Sequence, residues 1–531
     1  MPDFNVGEAA TLLQDGGMVR LTLADTTIVL ARAKGLYYAI GANCTHYGAP
    51  LDKGLLRGHE LMCPLHHACF DIRTGARLEP PALNNIAHFP VRVEDKHVIV
   101  TLPKDNEAEP QGRRAPGDDR AFVIVGGGAA GNAAAEELRR VGCHASITIL
   151  SAAPDIPVDR PNLSKDYLAG HADPSWMPLR GGRDWYAARD IDLRTGTEVV
   201  KVDPSAHTVH LRDGHTVKYS KLLLATGGIP RQLTSIPGAD LKGVFTLRAQ
   251  ADADAIVQAV ETGKRVVLIG ASFIAMEVAA ALVEGRKATV TVVGIEAVPF
   301  ERVLGERIGR MLQQEHQNHG VQFRLSSEPV RFTDNKGQVS GVELKSGEKL
   351  PADVVIVGVG VRPATDFLAE SGVKLDARDR SVLVNAYLQT SDPDIYAAGD
   401  IARWDDGSEA GQRTEHWRVA EQQGIVAARN MTGQPEAIRS HVPFFWTHQW
   451  DIELRYVGHA EKWDEILYRG SVEEKDFIAF YVVAGNLRAA ATCGHDSEAD
   501  ALEFILRDKV PLTPTQMRDG SFDLLDYARH H

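Results

Sequence analysis

Over the first hundred residues, apolar and polar positions alternate in short runs such as Met18–Leu23 and Thr27–Ala31, broken by Gly and Asp, and no stretch keeps a helical period. This pattern predicts a small all-β domain over residues 1–104. Residues 103–120, PKDNEAEPQGRRAPGDDR, are polar, rich in Pro and Gly and without periodicity, which places an interdomain linker at 105–118. The pattern then switches to an apolar strand, a glycine-rich turn and an alanine-rich helix over Phe122–Val141, and the same order recurs over Val266–Glu284. Two α/β nucleotide-binding domains are predicted, the first spanning 119–245 and 366–433 and the second 246–365. Residues 434–531 mix strands (Phe477–Val483) with a helix (Glu498–Arg507) and read as a small α+β domain.

Composition narrows the function classes. Fifty-eight basic against 71 acidic residues leave a net charge of −13, which repels nucleic-acid phosphates and anionic lipid, so neither is an expected partner. No uncharged apolar run reaches the roughly 18 residues of a bilayer span. Asp3 and Glu8 precede the first basic residue, Arg20, so a secretory signal is not read at the start. Five thinly spread cysteines do not form a disulfide framework, and a reducing cytoplasm is the expected compartment. A homo-oligomer is left open.

The most specific signal is Cys44-Thr-His46 followed by Cys63-Pro-Leu-His66. Two loops, each giving one thiolate and one imidazole, supply what a [2Fe-2S] centre with mixed ligation needs, two sulfurs for one iron and two nitrogens for the other. A structural zinc ion accepts the same four ligands. The flanks, CTHYGAPLDKG and CPLHHACFDIRTG with Pro80-Pro81 as a covering loop, resemble Rieske ferredoxins over about a hundred residues, and that resemblance favours the cluster. High-potential members of that family carry a cysteine in each loop and Ser and Tyr donors to sulfur. Here Ala49, Leu65, Ala68 and Phe70 stand at those positions, which implies a low potential. Cys69, His59 and His67 are left over and are expected in packing or at the surface.

Gly126-Gly-Gly128-Ala-Ala-Gly131 supplies a GxGxxG turn between strand and helix, whose glycines permit a tight turn and close approach of a pyrophosphate to the backbone. No ribose-binding acid follows the second strand, where Ser151, Ala152 and Ala153 stand. The segment TSDPDIYAAGDIARW, in which Asp400 can accept from ribitol hydroxyls, and LLLATGG around Ala225 identify the dinucleotide as FAD by resemblance to two-dinucleotide flavoprotein reductases over 119–433. The second turn reads Gly270-Ala-Ser272-Phe-Ile-Ala275-Met-Glu277 and is the expected NAD(P)H site, with Ser272 and Ala275 where glycines are usual. Glu296 is the candidate for the ribose hydroxyls of NADH, which makes NADPH the less favoured donor; Gly294 occupies the position where related chains often place that acid.

The motif VDRPNLSK extends the resemblance to oxygenase-coupled ferredoxin reductases and apoptosis-inducing-factor-like proteins. It implies that Arg160 contacts FAD and that Lys165, paired with Glu277, lies near the flavin N5. The segments EHWRVAEQQG and VPFFWTHQWD resemble those closing over the isoalloxazine, making Trp417 and Trp446 candidates to stack there. No CxxC follows the first nucleotide motif, which excludes a disulfide reductase. His210 and His215 flank Asp213-Gly214, a hairpin turn rather than an iron site, so the chain is not itself an oxygenase. The resemblance implies an NADH-dependent reductase passing electrons through FAD to its fused Rieske domain and on to an oxygenase or cytochrome P450 in a separate chain. The alternative is an apoptosis-inducing-factor-like redox sensor or partner-binding flavoprotein with slow turnover.

Overall fold

The computed structural model describes residues 2–103, 112–260, 263–405, 411–438 and 441–531; positions 105–111 of the expected linker lie outside the described residues. The chain forms two compact units. One comprises Met1–Pro110, Ser440–Trp446 and Leu454–His531, the other Gln111–Arg439 and Thr447–Glu453.

In the first unit, short antiparallel strands fill the N-terminal hundred residues, as the alternation predicts. Met18–Leu23 keeps Arg20 and Thr22 exposed, while in Thr26–Ala33 the continuous apolar run Ile28–Ala31 is buried between the two neighbouring strands. The strands Leu55–Arg57, Glu60–Met62, Cys69–Asp71 and Arg77–Glu79 make a separate four-stranded sheet, and the loop between the second and third of these holds Cys63 and His66. A C-terminal sheet has the order Phe444–Gln449, Ile452–Gly458, Asn486–Cys493, Asp476–Val483, Glu465–Ser471, and is followed by the helix Asp496–Arg507. Leu55 and Met62 share one core with Ile478, Phe480, Leu502 and Phe504, so the first and last hundred residues bury apolar surface together. Strand alternation within either segment cannot announce such a shared core.

The second unit contains two parallel five-stranded sheets. The first runs Ile191–Arg194, Ser146–Leu150, Ala121–Val125, Lys221–Leu224, Ile395–Ala397, and the second Val244–Phe245, Val354–Val357, Arg265–Ile269, Thr289–Val293, Gln322–Arg324. Their central strands read AFVIV and RVVLI and are buried after the first residue, as strands covered on both faces must be. Each passes through a glycine into a helix, Ala129–Arg140 and Phe273–Arg286. The strands Thr208–Leu211 and Thr216–Lys218 pair antiparallel around Gly214, so the spacing of His210 and His215 is that of a hairpin.

Candidate functional site

The two loops carrying the Cys and His pairs close on themselves in the same manner. In the first, the Cys44 N–H donates to the Ala49 carbonyl (2.9 Å) and the Gly48 N–H to the Cys44 carbonyl (3.0 Å). In the second, Cys63 donates to Ala68 (2.8 Å) and His67 to Cys63 (3.1 Å). The turns bring the side chains together as pairs: the Cys44 and Cys63 thiols hydrogen-bond, and the Nδ1 atoms of His46 and His66 lie 3.0 Å apart. The Cys63 bond and the His46 backbone hold Cys44 below the usual thiol range, and that same bond together with burial pushes Cys63 up. Burial pulls His46 down to about 4, which keeps the ring in the neutral form that ligates metal. One pair of sulfurs and one pair of nitrogens, supplied by the same two loops, fit a [2Fe-2S] cluster with two protein ligands per iron. Ala49, Ala68 and Phe70 are fully or nearly buried, so no hydroxyl stands at these positions to donate to a sulfur.

Aromatic rings cover both imidazoles differently. Tyr47, which is 54% exposed, stacks on His46 with centroids 4.0 Å apart. Trp446 lies 4.4 Å from the His66 ring, with Phe444 stacked beside it at 5.8 Å. The leftover residues have distinct surroundings. Cys69 is buried in its strand, His59 meets Tyr38 edge-on, and His67 is enclosed by the C-terminal helix, with Nδ1 2.5 Å from Glu503 Oε2, Nε2 3.4 Å from Asp500 Oδ1 and Phe444 against its face. Sequence reading missed these carboxylates, which lie more than four hundred positions away without any local signal.

In the second unit, the first glycine turn is built for close approach. Gly126 has φ +113°, and a Cβ there would sit 2.2 Å from the Ala225 carbonyl oxygen; a Cβ on Gly131 would sit 1.9 Å from the Gly126 carbonyl oxygen. Gly128 caps the helix Ala129–Arg140, and the Arg160 guanidinium lies over it, 3.3 Å from where a Cβ would be. Arg160 is half-buried, and burial together with the like charge of Arg248 pulls it down to about 10. Arg248 itself reaches Asp400 at 3.1 Å, close over Gly227. A guanidinium held against a helix N-terminus fits the diphosphate of a dinucleotide, and the convergence of the segments around Gly126, Ala225 and Asp400 fits FAD. Arg248 carried no motif and was not foreseen.

The second turn repeats the geometry with larger residues. Gly270 has φ +115° and abuts the Gly358 carbonyl, Ser272 caps the helix Phe273–Arg286 and is exposed, and Ala275 is buried against Gly358. Glu296 follows the strand Thr289–Val293 and keeps 23% side-chain exposure, with Arg302 Nε 3.9 Å away. Trp417 opens the helix Trp417–Met431 and packs, half-buried, against the core of the first sheet.

Lys165 and Glu277 meet. Lys165 Nζ donates to Glu277 Oε2 at 2.9 Å and to the Pro161 carbonyl at 3.0 Å. Two donors that sequence reading missed join them on the carboxylate, Ser164 Oγ on Oε2 at 2.5 Å and Thr447 Oγ1 on Oε1 at 2.7 Å. Glu277 is 5% exposed, and a buried carboxylate with three donors is fully partnered.

A two-plus-two thiol and imidazole site in one unit and two glycine turns under parallel sheets in the other define an FAD- and NAD-binding reductase that carries a Rieske domain. The chain belongs to the pyridine nucleotide-disulphide oxidoreductase family, whose model matches residues 120–424; the Rieske [2Fe-2S] domain model matches 4–90 and the reductase C-terminal model 444–528. Despite the family name, Cys143 is the single cysteine in the sequence between 111 and 439, so no cysteine pair is present there. The chain is 37% identical to apoptosis-inducing factor 3 of Homo sapiens over 91% of its length and 80% of that protein's, and 35% identical to rhodocoxin reductase of Rhodococcus erythropolis over 77% and 95%. It superposes on the covalent putidaredoxin reductase-putidaredoxin complex with a TM-score of 0.73 and 32% identity, covering 77% of this chain and 99% of that one. Among the described residues, no helix is long and apolar enough to cross a membrane.

Proposed function

We propose that this chain oxidises NADH and passes the electrons, by way of FAD, to its own Rieske domain and on to an external protein acceptor such as an oxygenase or a cytochrome P450. The observation that carries this reading is the paired Cys44/Cys63 and His46/His66 set on the same chain as a reductase fold. Flavin takes up two electrons as a hydride and releases them singly, which is what a one-electron cluster requires of its donor. The chain's residues hold these groups. Gly126, Gly128 and Gly131 admit the diphosphate of FAD, Arg160 lies over it, and Asp400 accepts from the ribitol. Gly270 and Ser272 admit NADH, and Glu296 accepts from its ribose. Lys165, fixed by Glu277, presents a cation to the flavin, where a positive charge favours the anionic reduced form. Trp446 against His66 excludes water from one edge of a cluster ligand.

The test compares cytochrome c reduction by NADH in the wild type and in His66→Ala. The proposal predicts that His66→Ala abolishes it while flavin bleaching by NADH persists. Equal cytochrome c rates would show that electrons leave from the flavin. A further variant, Trp417→Ala, is expected to slow cluster reduction more than flavin reduction in the same stopped-flow trace. A second reading is a slow redox-sensing flavoprotein; the chain matches apoptosis-inducing factor 3 over 91% of its length as it matches ferredoxin reductases over 77%, and steady-state turnover separates the two readings.

A further inference from the structure

Beyond the Lys165–Glu277 pair, a file of buried polar side chains runs from the carboxylate through Thr447 and Gln449 to His316, on another helix of the same nucleotide-binding half. Thr447 Oγ1, which touches Glu277 Oε1, lies 2.9 Å from Gln449 Nε2, and Gln449 Oε1 lies 2.8 Å from Nε2 of His316 on the helix Glu306–Asn318. Thr447 and Gln449 are each 1% exposed and His316 is fully buried.

The donors in this file have one consistent direction. A carboxylate only accepts, so Thr447 gives its single hydrogen to Glu277 and its oxygen accepts from the Gln449 amide. The amide oxygen is thereby turned to His316, whose hydrogen belongs on Nε2. Burial pulls His316 down to about 4, so the ring is neutral and carries one hydrogen only. Nδ1 is then bare, and Nδ1 is the buried ring atom without a hydrogen-bond partner. Leaving a buried acceptor unpaired is unfavourable, so the orientation of the file is maintained against a local cost.

We propose that Thr447, Gln449 and His316 are positioning residues for the Lys165–Glu277 pair. Thr447 claims Oε1, which leaves Oε2 as the oxygen that Ser164 and Lys165 share, and this sets where the ammonium points. Without Thr447, the carboxylate turns about its last bond and offers either oxygen to Lys165. Hydrogen bonds aligned in one direction polarise one another, so the file strengthens its final bond to Glu277. A proton relay is not implied, because the amide of Gln449 interrupts proton hopping. The inference rests on the proposed placement of Lys165 and Glu277 at the flavin.

The test uses the full-length holoenzyme and four variants: Thr447→Val, Thr447→Ser, Gln449→Met and Glu277→Gln. Two quantities are read for each, the limiting rate of flavin reduction against NADH concentration and the flavin midpoint potential. Thr447→Val is expected to lower the limiting rate about tenfold, the size of one lost hydrogen bond, with half-saturation by NADH within about twofold and a more negative potential. Thr447→Ser restores both quantities, and Gln449→Met shifts them in the same direction as Thr447→Val by a smaller factor. If Thr447→Val does not retain FAD, Gln449→Met and Thr447→Ser decide the matter alone. Should Glu277→Gln shift both quantities while Thr447→Val and Gln449→Met shift neither, the positioning role is overturned and the placement of the pair stands. If Glu277→Gln also shifts neither, the placement of the pair fails and the inference falls with it.

Discussion

Loop Cys44–Ala49 and loop Cys63–Ala68 share their backbone hydrogen bonds, yet the fifth residue of each, which must take a left-handed conformation, is Gly48 (φ +75°) in one and His67 (φ +57°) in the other. Glycine adopts that conformation at no steric cost, and any other L-residue gives up roughly 1–2 kcal/mol. The first loop is therefore closed without a strained side chain, and Thr45 Oγ1 ties it to the Asn84 carbonyl at 2.7 Å. The second accepts the strain because its side chain is enclosed by Glu503, Asp500 and Phe444 of the C-terminal domain. Burial and the neighbouring Cys63 and Glu503 push Asp500 well above the usual carboxylate range. The difference teaches that one ligand loop is held within the N-terminal hundred residues and the other also by the C-terminal segment, which sequence reading assigns to another domain.

The comparison breaks most completely if a ligand is removed. His66→Ala is expected to eliminate the cluster while changing flavin reduction by NADH less than about twofold, because the two compact units hold separate cores; iron content and the visible spectrum check this. Next, His67→Ala retains the backbone strain and removes the buried ring that meets Glu503 and Asp500, which costs about 3 kcal/mol. His67→Gly removes the ring too but relieves the strain, so it is less damaging by about 1 kcal/mol. The temperature at which the cluster band bleaches ranks the two, and an identical loss for both would show that the left-handed backbone plays no part. Gly48→Ala meets no atom within 4 Å, so its effect is the backbone term alone, about 1 kcal/mol. A larger loss there would mean that more than the backbone conformation of Gly48 closes the first loop.

The same contrast recurs in the nucleotide turns. At the first, a Cβ on Gly131 would strike the Gly126 carbonyl, whereas Ala275 is accommodated against Gly358 in the second. The smallest predicted effect lies beside that second turn. Glu296→Ala is expected to narrow the preference for NADH over NADPH by up to about tenfold, about 1.4 kcal/mol, because the neighbouring Arg302 already offsets part of its charge. An unchanged preference, read as the ratio of the two kcat/KM values, would place the discrimination elsewhere.

What could be read without the structure was what local spacing encodes. The Cys and His pairs, both glycine turns, the strand and helix after each, and the pairing of Lys165 with Glu277 all rest on short motifs or on resemblance carried by them. What could not be read were contacts closed across the chain by single polar side chains: His67 with Glu503, Arg248 with Asp400, and Thr447 with Glu277 and Gln449. None has a period or a spacing that marks it. Trp446 was assigned by resemblance to the flavin, and its observed neighbour, His66, belongs to a motif 380 positions earlier. Packing partners of an aromatic are set by the tertiary fold and leave no trace in its flanking residues.

The central claim, that the chain reduces its own cluster, is tested most directly by mixing the anaerobic holoenzyme with NADH in a stopped-flow instrument and following the flavin and Rieske bands over a wide range of protein concentration. The account predicts that the flavin bleaches first and that the cluster follows with a first-order rate independent of protein concentration. A cluster rate that rises in proportion to protein concentration, or a cluster that stays oxidised while the flavin is fully reduced, would contradict it.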